Sequence, residues 1–300
     1  MPEPLKGVWT PVVTPYKQNL SPDPERLIKQ CRWLLDCDCG LAIFGTNSEG
    51  NSLSVAEKID LMDALIEAGL DPKRMMPGTG ACALTDAVQL AAHVAKTGCG
   101  GALALPPFYY KPVSDDGIFA FFAELIERVG DARLKLYLYH IPPVAQVGFS
   151  LELIEHLIKA YPETVLGMKD SSGDFEFTKR VMAAFPGWGI FPGNELNLKE
   201  AMELGAIGCI SATCNVNPAA IVNLFKTWDQ PGADEKQAAI NTVRKTFAAH
   251  PVIPGMKAVI ADALNDPDWA RLRPPLMALD DGGRAKLFAD LKAIGFSLGI

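Results

Sequence analysis

Residues 164–174, TVLGMKDSSGD, decide how the chain is read. An apolar run carries one lysine, Lys169, just before a polar turn. Side chains alternate along a strand. Val165, Gly167 and Lys169 are therefore expected on one face, and Leu166, Met168 and Asp170 on the other. A lysine at the mouth of an apolar strand is partly desolvated, and desolvation favours the neutral amine over the ammonium. A neutral amine attacks a ketone and forms a Schiff base. The alternative for this stretch alone is a lysine whose stem packs on the core while its head stays in water.

Outward from this strand, short apolar runs alternate with helical patterns. Upstream lie GVWTPVVTP at 7–15, GLAIFGT at 40–46, RMMPGTG at 74–80, GALALPP at 101–107 and LKLYLYHI at 134–141. Downstream lie GIFPGNE at 189–195 and GCISATCN at 208–215. Between them, apolar residues recur at helical spacing, as in Val55, Ile59, Met62 and Ile66 after the Ser54–Glu57 capping-box signature. Asn217 and Pro218 read as the cap and first position of a further helix.

Eight strand–helix units in strict alternation mean parallel strands with crossover helices. An open doubly wound sheet would carry a Gly-rich phosphate loop after its first strand, and here that strand runs into TPYKQN. The fold class expected is α/β, a (β/α)8 TIM barrel over residues 1–228. Residues 229–236, DQPGADEK, read as a linker, and helical patterns follow at 237–250, 255–264 and 283–294. Residues 229–300 are thus expected to form a C-terminal helical domain with little core of its own.

Active sites of such barrels lie at the C-terminal strand ends. The polar residues there include Thr46, Asn47, Tyr109, Tyr110, Tyr139, His140, Lys169, Asn194, Glu195, Ser211 and Thr213. One amine, several hydroxyls and few charges make a poor phosphate or metal site and a good one for carbonyl chemistry through an imine.

Five motifs in order make the chain resemble the dihydrodipicolinate synthase / N-acetylneuraminate lyase family of class I pyruvate aldolases. GTNSEG resembles its GTTGE loop, PPFYYKP its aromatic loop, YHIP its Y-N-x-P, GMKDS its Schiff-base strand, and PGNE with GCISATCN its last two strand ends. The resemblance runs from about Gly7 to Pro218 and implies a barrel with a C-terminal helical extension, usually a homotetramer built as a dimer of dimers. It implies that Lys169 forms the Schiff base, that Tyr139 moves protons beside the imine, and that Thr46 supplies a relay hydroxyl. Tyr109 would be the relay tyrosine that many members receive from a neighbouring subunit. Asn47 would lie beside the pyruvate carboxylate, Ile210 would place its carbonyl over the pyruvate, and Ser171, Gly193 and Glu195 would surround the substrate. Read as ordinary structure, the two tyrosines close the barrel top, Thr46 and Asn47 shape a turn, and Glu195 is a solvated loop charge. His140 reads as a support residue facing away from Lys169, and Cys209 and Cys214 as small core residues.

Dihydrodipicolinate synthase proper carries an arginine two residues beyond the Y-N-x-P proline, where this chain has Val144. A valine cannot bind a carboxylate, so that activity is disfavoured. The function expected is a Schiff-base-forming lyase joining or cleaving pyruvate and an aldehyde. Its substrate would be a small hydroxy-2-oxo acid such as 4-hydroxy-2-oxoglutarate or a 2-oxo-3-deoxy sugar acid. The alternatives are the synthase itself, a dehydratase using the same lysine, and a non-catalytic binder of pyruvate or a sugar acid.

Composition agrees. The chain has 300 residues, 49% hydrophobic and 21% charged, with a formal net charge of −7. No basic block invites nucleic acid or an anionic membrane. No run approaches the ~20 apolar residues that span a bilayer. The 7 cysteines have no zinc-ligand spacing. With no signal-peptide pattern in MPEPLKGVWTPVV, a reducing cytoplasm is expected. No cofactor or metal is called for.

Overall fold

The computed structural model describes residues 2–300. Among the described residues seven strands form: β1 (Gly7–Thr10), β2 (Gly40–Leu41), β3 (Ala102–Ala104), β4 (Leu136–His140), β5 (Val165–Asp170), β6 (Gly189–Pro192) and β7 (Gly208–Ile210). All their pairings are parallel, in the orders β2-β1-β7 and β3-β4-β5-β6. Residues 75–78 join the two groups through single bridges, Leu41 to Met75 and Gly78 to Leu103. On the other side Ile207 N–H donates to Ile190 O at 3.0 Å. Eight staves therefore close into a barrel. The expected third strand is present only as these bridges, because Pro77 lacks the N–H that a longer ladder requires.

Helices cover the outside, from Pro24–Asp36 onward. Side-chain caps set several of their starts. Ser54 and Glu57 make both bonds of the capping box, and the side chains of Ser114, Ser150 and Asp174 accept from first-turn amides. Asn217 precedes its helix without a side-chain cap bond; Pro218 alone marks that start. Buried side chains divide between an outer layer under the helices, with Leu138, Val165, Met168 and Ile190, and the barrel interior, with Trp9, Tyr137, Leu166, Phe191 and Ile210.

The alternation expected along β5 is broken at its start. The register against β4 shifts between Leu136 and Tyr137. Val165 consequently packs in the outer layer and Leu166 in the interior. From Gly167 onward the expected alternation resumes. The Cβ position of Gly167 faces the ring of Tyr137 at 2.9 Å. Gly208, at φ 142° and seated directly on the Gly7 carbonyl, leaves no room for a side chain where β7 meets β1.

Helices Ala233–Ala248, Val252–Ala263 and Asp281–Ala293 follow the barrel. The first begins inside the stretch expected to be a linker. Phe247, Met256, Ile260 and Leu287 pack with Val13, Ala212 and Val216, in loops at the C-terminal ends of β1 and β7. The helices thus lie over the face of the barrel that carries the strand ends.

Candidate active site

Lys169 is the penultimate residue of β5 and is 2% exposed. Its register partner on β4 is Tyr139, and its Nζ lies 4.3 Å from the centroid of that ring. Tyr139 is also buried, and its hydroxyl is 3.0 Å from Thr46 Oγ1. Three residues from three separate segments meet at one point. Neighbouring parallel strands in register bring Tyr139 to Lys169. The turn after β2 brings Thr46.

That turn is two short 3-10 segments, Thr46–Ser48 and Gly50–Ser52, joined at Glu49 in the left-handed region with φ 55°. The first amides of such a turn have no intrahelical acceptor. The half-buried Asn47 shares the turn with Thr46. Ile210 is fully buried at the end of β7, in register with Trp9.

Ser171, half-buried, continues β5 and donates its N–H to His140 O at 2.7 Å. Gly193 donates its N–H to Asp170 O at 2.6 Å, close enough that a Cβ there would overlap the Ser171 side chain. Glu195 is fully buried, and both Ser211 Oγ and Thr213 Oγ1 donate to its carboxylate. The reading of Glu195 as a solvated loop charge is therefore set aside.

His140 points to the other face of β4, stacked on Phe177 at 4.6 Å between centroids, and its Nδ1 accepts from Phe149 N–H at 3.0 Å. Burial pushes its pKa below the ordinary 6.5, against the opposing pull of Asp170. It supports the segment after β4, as its strand position implies. Val144 is 62% exposed on the short helix Pro142–Ala145. Tyr109 is 75% exposed and packs edge-on against Tyr110. Within one chain it takes no part in the contacts that join Lys169, Tyr139 and Thr46.

Cys209 and Cys214 are fully buried, as core residues, and all seven cysteines are free. Among the described residues no group of three or more His, Cys, Asp or Glu side chains is placed to hold a metal ion. No helix among them is long and apolar enough to cross a membrane. Two residues to which no motif assigned a role, Glu49 and Lys257, stand behind the Thr46 turn as a buried ion pair. The signal for Lys257 was a lone cation in the otherwise apolar run VIPGMKAVIA.

The barrel matches proteins already known. The chain is 33% identical over 298 residues to an uncharacterised DapA-like lyase of Chloroflexus aurantiacus, covering 98% of each. A dihydrodipicolinate synthase of Agrobacterium tumefaciens superposes with a TM-score of 0.88 at 28% identity, over 97% of this chain and 99% of that one. An N-acetylneuraminate lyase of Fusobacterium nucleatum, 24% identical, shares the fold with a TM-score of 0.84 over 96% and 98% of the two chains. The sequence profile of the dihydrodipicolinate synthetase family matches residues 4–294. The expected (β/α)8 barrel and its buried strand-end lysine thus meet a match over nearly the whole length, and the chain belongs to the dihydrodipicolinate synthetase family.

Proposed function

We propose that the chain is a Schiff-base-forming lyase that makes or breaks a carbon–carbon bond between pyruvate and an aldehyde. The observation that carries this reading is the buried Lys169 amine over Tyr139, whose hydroxyl meets Thr46. The Lys169 amine adds to the ketone of a 2-oxo acid. Loss of water gives an iminium whose positive nitrogen accepts the electron pair of the breaking carbon–carbon bond. The enamine left behind is protonated at carbon, and water releases pyruvate and regenerates the amine. Tyr139, backed by the Thr46 hydroxyl, carries protons to and from the reacting atoms. Tyr109, exposed in the single chain, completes the relay from a neighbouring subunit of a homo-oligomer, a tetramer by family habit.

The turn at Thr46 and Asn47 receives the pyruvate carboxylate, since consecutive backbone amides form an anion-binding concavity. Ile210 presents its carbonyl to the same molecule, and Ser171, Gly193 and Glu195 border the aldehyde half. With Val144 in place of a guanidinium, a small hydroxy-2-oxo acid of the 4-hydroxy-2-oxoglutarate or 2-oxo-3-deoxy sugar acid type is favoured over lysine-pathway synthesis. Residues 229–300 act as a separate C-terminal helical domain. Free thiols fit a reducing cytoplasm.

Borohydride trapping with pyruvate, followed by peptide mapping, tests the reading. A reduced adduct on Lys169 is expected. An adduct on another lysine would move the site, and no adduct with pyruvate or a longer 2-oxo acid would leave a non-catalytic binder.

A further inference from the structure

Glu49 and Lys257 are separated by 208 residues and form an ion pair at 2.7 Å with both side chains wholly buried. Burying two charges is costly unless geometry and further hydrogen bonds compensate. Here they do. Lys257 Nζ also donates to Thr14 O at 2.8 Å and lies 4.7 Å from the centroid of the Tyr16 ring. The second carboxylate oxygen of Glu49 accepts from Arg273 N–H at 3.2 Å. The Arg273 guanidinium in turn donates to Ser52 O at 2.6 Å and to Glu57. The bonds to Glu49 and to Ser52 O fall on the turn that carries Thr46.

The turn needs holding. Glu49 sits at φ 55°, a conformation that non-glycine residues adopt at a cost and that persists only where the surroundings impose it. Glu49 N–H closes the Thr46 turn on Thr46 O at 3.1 Å. Thr14 Oγ1 donates to Ser48 O at 2.6 Å, so the same cation reaches the turn along a second route. None of these groups is in hydrogen-bond contact with Lys169 or Tyr139, so chemistry at the amine does not account for the buried pair.

We propose that Lys257 and Glu49 are positioning residues. By pinning Glu49 in its left-handed conformation, the C-terminal helix Val252–Ala263 fixes the Thr46 hydroxyl against Tyr139. The proposal rests on the reading of Thr46 and Tyr139 as the proton relay of a pyruvate imine. It makes the C-terminal helices part of the catalytic geometry of the barrel.

The test is the rate of deuterium uptake into the methyl group of pyruvate in heavy water, with borohydride trapping and thermal melts alongside. Glu49→Gln/Lys257→Met removes both charges together and leaves no unpaired ion. This variant is expected to trap pyruvate on Lys169 at saturation while exchanging deuterium roughly 10–100-fold more slowly, the scale of an ångström-sized misplacement. Added to Thr46→Val, the same pair of changes is expected to cost less than about threefold more, because groups that act as a unit are not additive. An unaltered exchange rate, or the same fractional loss in the Thr46→Val background, would overturn the proposal. If the paired variant does not fold, Thr14→Val decides. It removes one hydroxyl, and a loss of exchange is expected that vanishes beside Thr46→Val; no loss, or a loss that persists, overturns. Trapping on the unaltered protein is done first. Without an adduct there, the reading of the imine site falls, and this proposal with it; with an adduct and additive losses, only the positioning role falls.

Discussion

Lys169 Nζ lies over the ring of Tyr139, its register partner on the adjacent strand, at 4.3 Å from the centroid. The face of the ring meets the Lys169 amine, while the phenol oxygen at the ring's edge is turned to Thr46. One side chain therefore serves two neighbours.

This geometry predicts separable effects of the two relay groups. Tyr139→Phe keeps the ring over the amine and removes the hydroxyl. Turnover is expected to fall by about 10²–10⁴, the span of general acid–base catalysis, with trapping of pyruvate on Lys169 retained. Thr46→Val is expected to fall less, since it acts through the tyrosine. Steady-state kinetics beside trapping yield measures both, and a Tyr139→Phe variant with normal turnover would remove Tyr139 from the mechanism.

Tyr109 is the one assigned catalytic residue left exposed in the single chain. If a neighbouring subunit inserts it, Tyr109→Phe lowers turnover by at least tenfold on the same relay scale without altering the melting temperature. Mixing impaired Tyr109→Phe chains with inactive Lys169→Ala chains should then raise activity, because some sites form with one intact residue from each. Mixtures that show no gain after subunit exchange would place the relay elsewhere.

His140 predicts an acid-labile step in stability. Its native pKa is depressed by burial, so between that value and about 6.5 the unfolded chain binds more protons than the folded one. Stability is therefore full above about pH 6.5 and is lost as pH falls toward the depressed native value. Phe149 N–H on Nδ1, the stacked Phe177 and the carboxylate of Asp170 surround the ring. His140→Gln can still accept from Phe149 and is expected to flatten the dependence of melting temperature on pH between 5 and 7, as scanning calorimetry would record.

Gly193→Ala tests the packing beneath the aldehyde half of the site. The new Cβ would sit 2.7 Å from Asp170 O and overlap Ser171 Oγ, at the end of β5 just beyond Lys169. A cost of about 1–3 kcal/mol is expected for this overpacking, with a raised KM for the 2-oxo acid. Melting and kinetics together measure it; an unshifted KM would separate Gly193 from the substrate.

Much of this was written in the linear sequence. The alternation of apolar runs and helical patterns dictates parallel strands and crossover helices. Hydrogen-bonding chemistry is local at Ser54–Glu57, so that helix start was legible. Lys169 was marked by being the only charge in its apolar run until Asp170 ended it. What periodicity could not supply was contact between distant segments. The register shift that sends Val165 outward arises from pairing β5 with β4. Burial of Glu195 depends on hydroxyls 16 and 18 residues away. The Lys257–Glu49 pair joins groups 208 residues apart. A strand's period or a cap's bond is fixed by neighbours a few residues away, so sequence alone determined the barrel and its lysine. Desolvation and ion pairing depend on what surrounds a group in space. Only the tertiary structure could decide which charges are buried and which turn they hold.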